Sequence, residues 1–355
     1  MPNSALRSPL PRLIVAIACF GIPSTTEPSD QLAAPAGPVT LTRAQYLMGT
    51  IADITAVAPT EAIAQDAITA GFHEIRRLEQ LLSTWIKTSE LSRVNAAAGR
   101  HPVAVSPETF ALLARAVEIG DLTGGAFDIT VGPAVRLWKV TEAARVPTRI
   151  ELAIAAQNVD YRLLRLDTTQ QTAFLEKPGM QIDIGGIGKG YAAEHAAAVM
   201  REAGASGGLI GIAGDFRIFG RRADGSAWPV GIQHPRHPNE VLATLESVDE
   251  AISTSGDYER FFFKDGIRYH HILDPRTLRP ARLCQSVTIV ASDATTADGL
   301  ATGVFVMGPQ RGLALVERLG IAAVIVDATG RVTISSRLRN RVRLAPAPPT
   351  KPPRK

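Results

Sequence analysis

Gln181 to Tyr191 reads QIDIGGIGKGY, a strand-like lead-in that carries Asp183, followed by glycines at 185, 186, 188 and 190 around Lys189. An alanine-rich run then continues to Ala203 and stops at Gly204. The pattern predicts a strand-like segment that turns through a glycine-rich loop into a helix from about Lys189 to Ala203. Such a loop lets backbone approach a phosphate closely, and the helix N-terminus adds N–H donors and a favourable dipole. It is not a Walker A loop, because the four-residue spacer before Gly-Lys is missing and Gly190 stands where Ser or Thr would bind magnesium; the G-x-G-x-x-G dinucleotide spacing is absent too. Tight packing explains the same glycines equally well, so the segment alone leaves both readings open.

Working outward, Thr60 to Leu82 places Ile63, Ile68, Phe72, Ile75, Leu78 and Leu82 at helical spacing, which predicts a core-facing helix. Ser106-Pro107 marks a second helix start, with Phe110, Leu113, Ala114 and Val117 as its apolar stripe and Gly124-Gly125 as its end. Strand-like runs are Leu209 to Phe219, Tyr269 to Leu273, Val287 to Val290 and Ala322 to Val326, the last turning at Ala328-Thr329-Gly330 into Val332 to Ser335. Helices and strands without regular βαβ alternation predict an α+β, mixed-sheet fold. One catalytic unit is expected over residues 41–340.

The 355 residues, 45% hydrophobic and 20% charged, exclude a disordered or collagen-like chain, and two cysteines exclude a disulfide scaffold. A net charge of +4 from 38 basic and 34 acidic residues is too dispersed for a nucleic-acid footprint. Arg7 and Arg12 precede the apolar run Leu13 to Ile22, which reads as an export signal over residues 1–22 and is too short to span a bilayer, a task that takes roughly 20 residues. Cys19 after Ala16-Ile17-Ala18 resembles a lipobox, so a periplasmic protein is expected, either anchored to the inner membrane through Cys19 or released by plain cleavage. Residues 23–40 read as a Pro/Ser/Thr-rich linker and 341–355 as a basic, Pro-rich tail without a core.

Three further segments carry chemistry. In Ser292 to Thr302, SDATTADGLAT, Asp298 and Thr302 lie four apart and project from one face of a helix. One carboxylate, one hydroxyl and a backbone carbonyl suit a hard cation that keeps part of its shell for waters or phosphates, while capping and an ordinary i,i+4 pair are the plainer alternative. In Ile252 to Pro280, a polar turn with Asp257 precedes His270 and His271, which on a strand point to opposite faces, so at most one enters a given pocket. In Leu122 to Trp138, glycines flank Ala126, Phe127 and Asp128, a loop suited to hydrogen-bonding a heterocycle or, equally, a helix cap. Met48 and Trp85 offer an apolar wall and an aromatic face. Zinc-type Cys/His spacing, a G-x-S-x-G elbow and a haem motif are all lacking.

The ordered series MGT, LSTW with SELSRVN, TGGAFDITVGP, IDIGGIGKGYAAE, GIAGDFRIFG, STSGDYER, YHHILDPRT and TTADGLATG, spanning about Tyr46 to Gly308, resembles the ApbE family of FAD:protein FMN transferases. The resemblance implies an ApbE-like α+β fold and a magnesium-dependent periplasmic enzyme. Its reaction would transfer FMN from FAD to a threonine or serine of a client redox protein through a phosphoester bond, releasing AMP. A pyrophosphatase yielding free FMN and AMP, or a non-catalytic flavin-binding lipoprotein, are the alternatives. By motif, Met48, Trp85, Ala126, Phe127, Asp128, Asp183, Lys189 and Ile272 would line the FAD site. Gly186 through its carbonyl, Asp298 and Thr302 would hold magnesium, and His271, with Asp257 second, would accept the client's proton. Trp85 stands where the family more often has Tyr, Gly188 where it has Ala, and Leu278 where Gly usually follows DPRT.

Overall fold

Two tight turns with left-handed backbone begin the frame. Met48 (φ 52°) and Gly49 (φ 70°) join strand β1 (Val39–Leu47) to β2 (Thr50–Ala58), and Ala213 (φ 50°) and Gly214 (φ 89°) join β3 (Gly207–Ile212) to β4 (Asp215–Phe219). Positive φ at both central positions matches the twist of a two-residue hairpin. The single run expected over Leu209 to Phe219 is therefore two antiparallel strands, because Ala213-Gly214 reverses the chain within it.

The computed structural model describes residues 37–346. Four more strands, β5 (Ala251–Gly256), β6 (Cys284–Ala291), β7 (Ala322–Asp327) and β8 (Val332–Ile334), complete an eight-stranded sheet whose spatial order follows the chain from β1 to β8. The α+β class holds, and among the described residues every ladder is antiparallel, parallel pairing being confined to the isolated bridge Val131–Gln181. Β-branched and aliphatic side chains alternate across this sheet. Ile54, Ile210, Val287, Ile289 and Ile325 face the helices, whereas Val57, Ile218, Ile252, Val290 and Val324 face a three-stranded sheet of Trp228–Gln233, Val241–Ser247 and Val342–Leu344. That last strand lies in the stretch expected to be an unstructured tail, and β1 begins inside the expected linker: backbone pairing recruits both ends into sheets. The expected signal, Cys19 and residues 347–355 lie outside the described residues.

The helices are α1 (Glu61–Leu82), α2 (Glu90–Ala96), α3 (Pro107–Thr123), α4 (Gly132–Trp138), α5 (Arg149–Ala156), α6 (Gly188–Glu202), α7 (Ala294–Met307) and α8 (Pro309–Leu319). Ser106 caps α3 as its sequence predicts, Thr60 caps α1 from just outside the helix, and Gly124 (φ 61°) closes α3. Helix α7 has twelve of its fourteen residues buried, so any polar group on it must find a partner inside the protein. Its N-terminus is tied to α6 by Glu194, which accepts the Ala294 N–H at 2.8 Å and pairs with Arg217 on β4.

Contact between α6 and α7 depends on Gly190. A Cβ there would sit 2.1 Å from the Ala294 carbonyl oxygen and 2.7 Å from Asp298 Cβ, whereas one at Gly188 would first meet the mobile end of Ile184 at 2.9 Å. Gly190→Ala should therefore destabilise the protein by about 1–3 kcal/mol through overpacking. Gly188→Ala, in which helix propensity gains up to about 1 kcal/mol, should melt at or near the parent temperature. Thermal unfolding followed by circular dichroism checks this, and equal melting temperatures for the two variants would refute it.

Candidate active site

Sheet register gathers the site at one end of the sheet. Ala52 of β2 pairs with Ile212, the last residue of β3, and Asp215, the first of β4, pairs with Ser253 on β5, which runs on to Gly256. The Met48 and Ala213 turns, Asp215 and the Ser253–Gly256 segment thus share one end of the sheet. The glycine-rich loop enters it from the helical side, clamped by Asn95, whose amide donates to the Ile182 carbonyl at 3.0 Å and accepts from the Ile182 N–H at 2.7 Å.

On α6, Lys189 reaches two carboxylates. Its Nζ contacts Asp215 Oδ2 directly and lies 3.7 Å from Asp298 Oδ1. Burial opposes the ammonium's charge, but the two carboxylates outweigh it and hold the lysine pKa above its ordinary value. Asp298 is 2% exposed; burial and then the Asp215 charge push its carboxyl upward, while Lys189 and the Gly190 N–H, donating to Oδ2 at 2.9 Å, oppose them. Because that N–H points to Asp298, it does not close a helical bond onto Gly186, whose carbonyl accepts no backbone hydrogen bond among the described residues. Thr302, one turn along α7, lies beside Gly186: a Cβ on Gly186 would be 2.9 Å from Thr302 Oγ1, which is itself 3.2 Å from Ser255 Oγ. A buried carboxylate and, one turn along the same helix, a hydroxyl thus lie near the loop residue whose carbonyl is free of backbone bonds, the hard-oxygen donor types that a magnesium-like cation takes.

Expected ligand-site residues divide by what they can still offer. Asp183 is half-buried, and its Oδ1 accepts the Gly185 N–H at 2.9 Å. Crowding by the surrounding protein raises its pKa against that bond and the charges of Arg260 and Arg136. Trp85 is 75% exposed on the link between α1 and α2, with an uncovered indole face. Met48 is half-buried at its turn. Ala126 and Phe127 are buried, as is Asp128, whose carboxylate is consumed by Thr130 N–H and Oγ1 and by the Tyr161 N–H. Ile272 is buried with its N–H given to His270 Nδ1 and its carbonyl accepting from Ala281. These four offer a ligand only the edges of their side chains or remaining backbone groups.

The strand expected over Tyr269 to Leu273 is broken: Ile267–His270 ends at the first histidine, His271 lies in a bend, and a separate short strand starts at Leu273, so the two rings part at the end of a strand rather than along one. His270 is 4% exposed, bonded through Nε2 to the Ala281 carbonyl and through Nδ1 to the Ile272 N–H, a neutral structural ring. His271 is exposed, with Nδ1 3.3 Å from the Arg260 carbonyl. An Nδ1–H donated there leaves Nε2 as the proton acceptor. Desolvation by the surrounding protein, then the Arg260 cation, lowers its pKa from the usual histidine value. Asp257 is not available as a base: Arg236 holds both its oxygens, at 2.6 and 2.8 Å, and Arg268 adds a third contact at 3.2 Å. Leu278, where Gly is usual, is accommodated with φ 54° because its side chain is wholly buried and its carbonyl accepts from Trp138 Nε1 at 2.7 Å.

Asp215, Ser253, Ser255, Asn95 and Arg260 join the site without having been singled out in the sequence. Each sat inside a motif there, but only strand register and loop packing bring them to the same end of the sheet. Elsewhere among the described residues, Glu74, Glu108 and His195 cluster at metal-ligand spacing, yet Arg77 bridges the two carboxylates and occupies an oxygen of each.

Residues 48–325 match the model of the ApbE family. The chain belongs to that family. A Vibrio cholerae FAD:protein FMN transferase is 37% identical over 262 residues, covering 72% of this chain and 78% of the relative; one from Treponema pallidum is 33% identical over 323 residues, covering 86% and 89%. Among solved structures, the ApbE protein of Thermotoga maritima superposes with a TM-score of 0.80 at 33% identity, covering 85% of this chain and 99% of the other. The flavin transferase ApbE of Vibrio cholerae gives 0.78 at 32%, covering 86% and 99%.

In this ApbE member, the lowered pKa of His271 keeps its ring neutral below the usual histidine midpoint of about 6.5. A histidine-ring NMR titration should place its midpoint below 6.5, and Arg260→Ala should move it upward. A midpoint at or above 6.5 in the parent would contradict the assignment.

Proposed function

We propose that this ApbE enzyme transfers FMN from FAD to a threonine or serine hydroxyl of a client redox protein and releases AMP. The observation that carries the reading is the gathering, at one end of the sheet, of a paired cation, Lys189, and the oxygen-bearing Asp298, Thr302 and Gly186, with an exposed histidine, His271, near enough to feel the Lys189 charge.

FAD is held at the glycine-rich loop and beside the exposed Trp85 indole, which stacks on a flat ring. Lys189 remains cationic and offsets pyrophosphate charge. Magnesium, bound by Asp298, the Thr302 hydroxyl and the Gly186 carbonyl, would supply further charge neutralisation at those oxygens. His271 Nε2 takes the proton from the client hydroxyl. The client oxygen forms a bond to the FMN phosphorus as the pyrophosphate P–O bond breaks, and the bridging oxygen departs with AMP. An open position at His271 suits a bulky protein acceptor.

The predicted export signal supports a periplasmic setting, with an inner-membrane anchor if Cys19 is lipidated. Mature protein incubated with FAD, magnesium and a client domain carrying an acceptor threonine should give a fluorescent client band with an FMN mass increment that EDTA abolishes. His271→Asn should retain FAD binding and lose transfer by about 10²-fold or more, the usual scale for a general base. Asp298→Ala should lose transfer and magnesium dependence together. FMN and AMP released without client adduct would establish hydrolysis instead, and bound, unconverted FAD would point to a carrier.

A further inference from the structure

Lys189 is shared unequally between its two carboxylates. Its ammonium is in direct contact with Asp215 Oδ2 but 3.7 Å from Asp298 Oδ1. Asp215 is anchored independently of the helices: it begins β4, is 2% exposed, and its other oxygen accepts the hydroxyl of Ser253, its partner across the sheet on β5. Asp298 is anchored from the opposite side, by the Gly190 N–H on Oδ2. Without Asp215, the carboxylate still within 4 Å of this ammonium is Asp298, with Glu259 farther off, and a full ammonium–carboxylate bond of ordinary length would form at Asp298.

We infer that Asp215 is a positioning residue that withholds Lys189 from Asp298, keeping the carboxylate beside Thr302 and Gly186 uncommitted and able to ligate a divalent cation. The inference rests on the cation reading of that corner. Ser253 belongs to the same device, since its hydroxyl fixes the Asp215 carboxylate toward α6 rather than toward the sheet. An ammonium closed onto Asp298 must be displaced by the incoming cation, and a shift from 3.7 Å to hydrogen-bonding distance at an effective dielectric near 20 corresponds to a change on the order of tenfold in affinity. The role is specific to a lysine that has two acidic neighbours and one of them bound to the sheet.

The test is direct Mn²⁺ binding to FAD-free protein, read from the loss of the free-ion EPR signal, in a cycle of Asp215→Asn, Lys189→Met and the double variant. Asp215→Asn should weaken Mn²⁺ binding about tenfold. Lys189→Met should restore most of that loss in the Asp215→Asn background while changing the parent far less. If Lys189→Met shifts the Mn²⁺ affinity by the same factor in both backgrounds, Asp215 acts through its charge alone and the inference falls. Ser253→Ala, which keeps every charge, should weaken binding in the same direction by about two- to threefold and lose that effect when Lys189 is Met; it carries the cycle should Asp215→Asn not fold, and an unchanged affinity would overturn the inference. Failure of the cation reading itself is distinguishable: the parent would then bind no Mn²⁺, or bind it equally well with Asp298→Ala.

Discussion

An ammonium held between two buried carboxylates is the interaction on which the rest of this molecule depends. Lys189 comes from the start of α6, Asp215 from the sheet and Asp298 from a helix with almost no exposed surface. A buried carboxylate without a cation is costly, so these three elements cannot be separated without leaving charge unpaired in the interior. The same arrangement that fixes the helices against the sheet gives one ammonium to two carboxylates, so the cluster as a whole keeps a negative charge beside the glycine-rich loop.

Positions around that triad are set by small residues and by clamps set back from it. Gly190 lets α6 come so close to α7 that its own N–H serves the Asp298 carboxylate. That diversion frees the Gly186 carbonyl beside Thr302. Asn95 grips the loop before it turns, and Glu194 ties the two helices and β4 together from the outer side. None of these residues needs to touch a ligand to matter, since a shift of α6 against α7 would move Lys189, Gly186 and Asp298 relative to one another.

Two adjacent histidines show how the end of a strand assigns roles. The last strand residue turns its ring inward, where burial and two hydrogen bonds keep it neutral, and the next residue, in the bend that follows, is exposed, with the Arg260 carbonyl orienting its ring through Nδ1. Asp257, close in sequence and chemically eligible, is drawn instead into an arginine clamp that steadies the segment leading to them.

Local sequence by itself determined the helices whose caps and apolar stripes agree, such as those opening at Thr60 and Ser106, and the helical face shared by Asp298 and Thr302, because these depend on neighbours within one turn. Motif order carried the family and the glycine-rich loop. Tertiary structure alone decided that Ala213-Gly214 reverses the chain inside an apparently continuous strand, that Val342–Leu344 completes a second sheet, and that Asp128 and Asp257 are spent on structural bonds while Asp215 is delivered to Lys189. The physical reason is that a carboxylate's role follows from which donors reach it, and the distant ones, Tyr161 for Asp128, Arg236 for Asp257 and Lys189 for Asp215, lie 33, 21 and 26 residues along the chain, brought in by sheet register and helix packing rather than by local pattern.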